Sequence, residues 1–265
     1  MQNQTSPLIL TFGLADPVGA VGTPADLATF AAFGCHGLCV TTGLMIADSA
    51  RIEDSSEIDA DWVADQARVI LEDMQVAAFK VGAISAIEQV TAIAEIVSDY
   101  PDVPLVFDPF LSSLPDSGLA DDDMLMAVRQ ILIPQATLLM LSQVELARMA
   151  ETWRESGDDE LLEADVMELI EMGCEYVLVT GNGSNTLYRE DGVVAQYPWQ
   201  HLPGPFVGAG STLSGAVCAL MALGLEAPEA VQAAHDYTAG ALLHAQRFGM
   251  GKLVPNKFFQ SLTSE

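Results

Sequence analysis

A glycine turn running into an apolar helix, together with carboxylates at the ends of strands, can hold and transfer phosphate groups. Pro203-Gly204-Pro205-Phe206-Val207-Gly208-Ala209-Gly210-Ser211-Thr212-Leu213-Ser214-Gly215-Ala216 contains such a turn, and good helix residues run from Thr212 to Leu223. The first N–H groups of a helix have no acceptor inside it, and the macrodipole places partial positive charge there. A phosphate, or the charge developing on a moving phosphoryl group, is therefore held without Lys or Arg. Gly208 and Gly210 let the backbone turn tightly and leave its N–H groups unshielded. The same spacing also suits a close helix packing contact, and the turn alone does not choose between the two. Asp108 stands where an apolar run meets its loop, the place at which open α/β sheets bind ligands, although an Asx turn before Pro109 would also put an Asp there. Ser142 and Glu145 have the spacing of a capping box, a structural role.

Composition restricts the partners. Lys and Arg total 10 against 37 Asp and Glu, for a formal net charge of -27. Non-specific attraction to nucleic acid or to anionic lipid is thus disfavoured, while a small phosphate compound is allowed because backbone amides and Mg²⁺ neutralise it locally. Cys35, Cys39, Cys174 and Cys218 lie in apolar runs without paired spacing and read as reduced core thiols. Cys35-His36 with Cys39, the nearest thing to a metal cluster, falls at a helix-to-strand transition and reads as packing. The N-terminus shows no basic n-region or cleavable h-region, so a cytoplasmic protein is expected. Residues 202–225 carry no charge, but Pro203, Pro205 and the glycines up to Gly210 leave too short a helix to span a membrane.

Helical and strand patterns alternate along all 265 residues, 50% of them hydrophobic, which suits one α/β domain over 1–265. Apolar β-type runs occur at 8–12, 38–42, 76–82, 103–107, 137–141 and 176–181. Helices are expected from Pro24 to Phe33, Asp59 to Met74, Ser85 (as cap) to Val97, Asp121 to Leu132 and Ser142 onward. Further helices are expected up to Glu171 and near 209–223 and 227–245. Asp48 to Ser56 reads as a long exposed connection that could be a lid, and Glu151 to Glu163 begins as an irregular acidic stretch. Asn185 to Tyr197 reads as a hairpin turning at Asp191-Gly192. The alternation implies a mostly parallel sheet covered on both faces.

Several of these stretches, in order along nearly the whole chain, resemble the hydroxymethylpyrimidine/phosphomethylpyrimidine kinases of thiamine synthesis, members of the ribokinase-like group. Ala15-Asp16-Pro17-Val18-Gly19-Ala20-Val21-Gly22-Thr23-Pro24-Ala25-Asp26-Leu27 is similar to that family's S-D-P-x-G-G-A-G-x-x-A-D-L. Ala78-Phe79-Lys80-Val81-Gly82 is similar to its V-K-x-G, Phe107-Asp108-Pro109 to its D-P-V, Val177 to Gly181 to its V-L-V-K-G, and Gly208 to Ser214 to its G-T-G-C-T-L-S. Gly251 to Phe258, with Pro255 and Asn256, resembles its C-terminal G-P-x-N-H-F.

The resemblance implies a ribokinase-like fold and phosphorylation of 4-amino-5-hydroxymethyl-2-methylpyrimidine and of its monophosphate, using ATP and Mg²⁺. It implies that Gly208, Ala209, Gly210 and Ser211 form the catalytic anion hole, and that Gly13, Asp26 and the position of Ala47 meet the pyrimidine. Thr180 and Gly181 would meet the nucleotide, and Asp108 and Glu145 the metal. It is also compatible with a homodimer. The departures concern chemistry. Ser211 stands where the family has a Cys as base, and a Ser hydroxyl is a poor proton acceptor at neutral pH. Ala47 stands where a Gln reads the pyrimidine edge, Ser142 replaces the Asn of N-x-x-E, Thr180 replaces a Lys, and Ala20 and Val21 replace Gly and Ala. Two classes therefore stay open: a working kinase, or a non-catalytic paralogue that binds a pyrimidine, a nucleotide or a partner protein in a regulatory role.

Overall fold

The structure is a computed structural model that describes residues 6–109, 121–154, 161–181, 183–199 and 202–263. Its centre is a nine-stranded sheet in the order β3-β2-β1-β4-β5-β6-β7-β8-β9. Strands β1 (Leu8–Ala15), β2 (His36–Ala47), β4 (Ala78–Val81), β5 (Leu105–Phe107), β6 (Leu138–Ser142) and β7 (Tyr176–Thr180) run parallel. At the edges, β3 (Ile52–Glu57), β8 (Ser184–Arg189) and β9 (Gly192–Pro198) are antiparallel to their neighbours.

The central strands read as continuous apolar runs because both of their faces are covered. In β1, Leu10, Phe12 and Leu14 enter one core and Ile9 the other; in β7, Val177 and Val179 enter the first, Tyr176 and Leu178 the second. The first core lies under helices α2 (Ala60–Asp73), α3 (Ile87–Ser98), α4 (Asp122–Ala127), α5 (Gln143–Ala150) and α6 (Leu162–Glu171). The second lies under α1 (Gly22–Ala32), α7 (Ala209–Ala222) and α8 (Ala227–Leu243). Helix α7 is nearly all buried and packs on α1, α8, β4 and β5, so its N-terminus is fixed from several sides. Among the described residues, no helix is long and apolar enough to cross a membrane.

Four sequence expectations need correction. Asp48 to Ser56 is not a loop throughout: Ile52 to Glu57 pairs antiparallel with Gly43 to Ala47, making a hairpin arm whose tip is 48–51. Ser85 does not cap α3. The cap position is Ala86, without a side-chain hydrogen bond, and the Ser85 N–H donates to Gln89 Oε1 at 3.1 Å. Gln89 in turn donates to the carbonyls of Thr42 and Ile58, so this polar side chain ties α3 to the hairpin arm. The helix expected to end at Leu132 is α-helical only to Ala127, then widens into a π-helical turn over Val128–Leu132. Asp59 and Asp121 cap α2 and α4 as their types suggest, accepting from Asp61 N–H and Met124 N–H. The β8–β9 turn lies one residue earlier than expected, at Glu190-Asp191, since Arg189 pairs with Gly192. Within the acidic stretch after Glu151, positions 155–160 lie outside the described residues.

Candidate active site

The chain goes from β1 outward to β2 and β3, then returns to β4 on the other side of β1. Such a reversal opens a crevice at the carboxyl ends of the strands. Two loops there define the site. The Asp16 carboxylate accepts from Val18 N–H at 2.9 Å on Oδ1, and from Ala20 and Val21 N–H at 2.8 and 3.0 Å on Oδ2. This ties residues 16–21 into a compact loop that presents the Ala20 carbonyl to the second loop. Gly208 lies against that carbonyl with φ 86°, ψ 15°, and a Cβ there would fall 1.9 Å from Ala20 O. Helix α7 begins at the next residue, and Thr212 closes its first turn with N–H and Oγ1 both donating to Gly208 O. The N–H groups of Ala209, Gly210 and Ser211 precede that bond and have no acceptor within the helix.

Asp108, at the end of β5, is buried, and its Oδ2 accepts from Ser214 Oγ of α7 at 2.7 Å. Burial pushes its pKa up to about 6, against the pull of the Lys80 ammonium and with a further push from the nearby Glu145 charge. Glu145 forms the capping box expected of it: Ser142 N–H donates to Glu145 Oε2 at 2.7 Å, and Glu145 N–H donates to Ser142 Oγ at 3.2 Å. The box points this carboxylate into the crevice.

These groups meet in two adjoining cavities. The first, of about 310 Å³, is lined by Gly208, Ala209, Gly210, Ser211, Asp108, Glu145, Thr180 and Ala47. The second, of about 440 Å³, is lined by Gly181, Gln143, Asn185 and Trp199, and shares Ser142, Thr180, Phe206, Ala209 and Gly210 with the first. The start of α7 is thus the partition between them. Gly13 and Asp26 line neither cavity. Asp26 is 1% exposed, accepts from Thr11 Oγ1 at 2.7 Å, and pairs with Lys80 Nζ at 3.0 Å. In this arrangement Asp26 is the buried counter-ion of Lys80. Gly13 sits within β1, its Cα facing Thr23 and Gly82.

Sequence reasoning missed Asp16 as a loop organiser, Arg51 and Lys252 as cavity-wall cations, and Asn185 with Trp199 in the second cavity. The Asp-Pro-x-Gly signature at 16–19 was a usable signal for the first; the others are set by contacts distant in sequence. Lys257, also unforeseen, is buried near Asp26 and Asp16; burial lowers its pKa, and those two carboxylates hold it up. Among the described residues, no group of three or more His, Cys, Asp or Glu side chains is placed to hold a metal ion by itself.

Residues 16–256 match the phosphomethylpyrimidine kinase family. The chain belongs to that family. It is 31% identical over 254 residues to the hydroxymethylpyrimidine/phosphomethylpyrimidine kinase of Streptomyces coelicolor, covering 93% of each chain. The crystal structure of phosphomethylpyrimidine kinase from Clostridium difficile 630 superposes with a TM-score of 0.73 at 25% identity, over 87% of this chain and 98% of that one. An ADP complex of Bacillus subtilis pyridoxal kinase superposes with a TM-score of 0.85 over 97% and 100% of the two chains; at 23% identity it shows the shared ribokinase-like fold.

Proposed function

We propose that this protein transfers the γ-phosphoryl group of ATP to 4-amino-5-hydroxymethyl-2-methylpyrimidine and/or to its monophosphate. The observation that carries the reading is the pair of cavities meeting at the N-terminus of α7. In-line phosphoryl transfer needs donor and acceptor on opposite sides of one anion-binding point, and little covalent help from the protein. The nucleoside would occupy the second cavity, against Trp199 and beside Gln143 and Gly181. The acceptor would occupy the first. The N–H groups of Ala209, Gly210 and Ser211 would stabilise the equatorial oxygens of the phosphoryl group in flight.

Asp108 and Glu145 fit a Mg²⁺ site. Two carboxylates on one cavity wall, one of them raising the other's pKa, repel each other, and a bound cation would relieve that repulsion. Magnesium also keeps several non-protein ligands, so two carboxylates suffice. When bound, Mg²⁺ supplies neutralisation of phosphate charge. Asp108 is kept in place by Ser214, and Glu145 by the capping box.

A second reading, a binding paralogue with little turnover, is favoured by Ala47 and Ser211. Ala47 lines the first cavity with no side-chain hydrogen bond to offer, and Ser211, on the same lining, puts a hydroxyl where the family resemblance implies a thiol. ADP release at high protein concentration, with Mg-ATP and with or without the pyrimidine, separates the two. Pyrimidine-dependent release is expected, and silence beside an active relative would favour the paralogue. Ser211→Cys is expected to raise turnover on the hydroxymethyl acceptor by about tenfold, since a thiol ionises far more readily than a hydroxyl. An unchanged rate would move the defect to Ala47.

A further inference from the structure

The second cavity differs from the first in its chemistry. Among the described residues its lining carries no charge and includes Trp199, Phe206, Leu202, Leu213 and Leu242, while acids and two cations line the first. A neutral wall with one large aromatic ring suits a flat, uncharged group such as a nucleobase. That ring is held by a side chain outside the family motifs. Asn185 of β8, 1% exposed, accepts at Oδ1 from the Trp199 indole Nε1–H at 3.0 Å and from Gly181 N–H at 3.3 Å. One oxygen thus joins the loop after β7 to the residue after β9, and both line the cavity. The main chain repeats the tie, since Trp199 N–H donates to Gly183 O at 3.1 Å. From α8, the His235 ring packs on the indole with centroids 4.4 Å apart. Burial lowers the His235 pKa against the pull of Asp236, so at neutral pH it packs as an uncharged ring. The Asn185 amide cannot turn over, because its NH2 would then face two donors. Its Nδ2 is left buried without an acceptor, which costs stability. The side chain is therefore placed for what its oxygen holds, not to satisfy the core.

Resting on the kinase reading above, we propose that Asn185 is a positioning residue of the donor site, holding the Trp199 indole as the surface on which the base of a purine nucleoside triphosphate stacks. The pair thereby sets a preference for purine over pyrimidine donors. Asn185 acts through Trp199 and has no need to touch the nucleotide. Its oxygen already accepts from two N–H groups, which occupies both lone pairs, so it cannot also accept from the exocyclic amine of adenine. Selection then rests on the area of the base laid against the indole. Every base has a face to stack, and a purine covers more of the ring than a pyrimidine does. An indole free to swing would lose that advantage, because the nucleotide would have to order it on binding.

The test is steady-state phosphorylation of 4-amino-5-hydroxymethyl-2-methylpyrimidine by the full chain, with Mg-ATP or Mg-CTP as donor. The parent is expected to show a kcat/KM for ATP about tenfold above that for CTP, and Trp199→Ala to bring the two together. Asn185→Leu is expected to raise the KM for ATP about tenfold, with kcat and the KM for the pyrimidine changed much less, since it removes binding and not chemistry. Adding Asn185→Leu to Trp199→Ala should do little more than Trp199→Ala alone, the sign of a residue that works through its partner. Trp199→Phe, at a half-buried position, keeps a ring but drops the N–H to Asn185, and carries the test should Asn185→Leu not fold; it is expected to raise the KM for ATP about threefold or more. An ATP KM that stays in place in these variants overturns the proposal, as do effects that add in the double variant. A raised KM for the pyrimidine in place of ATP also overturns it, since the acceptor would then lie against Trp199. Absence of turnover with either donor would defeat the kinase reading instead. In that event tryptophan fluorescence titrated with Mg-ATP decides. A quench that is lost in Trp199→Phe, with Trp62 and Trp153 still present, and that needs about tenfold more ATP in Asn185→Leu keeps the positioning role. No quench in the parent rejects it.

Discussion

Gly208→Ala is expected to lower kcat/KM for phosphoryl transfer by about 10³ or more, because it displaces several N–H donors together rather than one. Two independent features forbid a side chain here. The backbone lies in the left-handed region at φ 86°, which costs a non-glycine residue about 1–3 kcal/mol. A Cβ would also fall 1.9 Å from Ala20 O and 2.8 Å from Ala20 C. Both atoms are backbone, and the loop that carries them is fixed by three hydrogen bonds to Asp16, so neither can yield without unmaking the loop. Gly210 is the control. Its Cβ position has nothing within 4 Å, and it lies in the first turn of α7, where Ala is favoured over Gly by at most about 1 kcal/mol. Gly210→Ala should therefore raise the melting temperature and still depress turnover, because the open space is where a phosphate would pass from one cavity to the other. Thermal unfolding and ADP release on both variants check this. Gly208→Ala with ordinary turnover, or Gly210→Ala without kinetic effect, would remove the anion role from the turn.

Features carried by neighbouring residues were legible in the chain. The strand Tyr176–Thr180 is apolar on both faces because both are buried, and the Ser142–Glu145 box needs only its own four residues. Features that need a distant partner were not. Ile52 to Glu57, rich in Ser and acid, has poor strand propensity and becomes a strand by pairing with β2 at the sheet edge. Ser49 meets Gly251 across 202 positions, and Ser214 meets Asp108 across 106, so no local pattern announces either contact. Gly208 and Gly210 look equivalent as letters, yet only the first is required by the fold. The family motif gathered Asp26 and Lys80 into the region of the site, but their burial as partners emerges only when α1 packs over β1, to which β4 is paired.

Lys80→Met is expected to cost about 3–5 kcal/mol of stability, the usual penalty for breaking a buried ion pair from one side. Lys80 and Asp26 are 2% and 1% exposed and meet at 3.0 Å, so bulk water does not reach Asp26 to replace the lost partner. Among the described residues, Thr11 Oγ1 would remain as a side-chain donor to Asp26, with the Lys257 charge nearby. Burial raises the Asp26 pKa and Lys80 opposes that rise, so without Lys80 the carboxyl moves further toward its neutral form. The burial penalty on the Lys80 ammonium is outweighed by the Asp26 and Asp108 charges, which keep it cationic. Removing that cation also takes away a pull that lowers the pKa of Asp108, so Asp108 would titrate above its present value of about 6. More of it is then protonated at neutral pH, and the acid limb of the rate profile should move to higher pH. Urea unfolding gives the stability change, and the pH profile of ADP release gives the second effect. Pairing Lys80→Met with Asp26→Leu should recover much of the stability, since the stranded charge is gone, and return the acid limb at most in part, because Asp108 loses the upward push of Asp26 but still lacks its cation. A single variant as stable as the parent, or a double variant no better than the single, would show that the pair is solvated rather than buried. An acid limb that stays in place in Lys80→Met would show that Asp108 does not depend on Lys80.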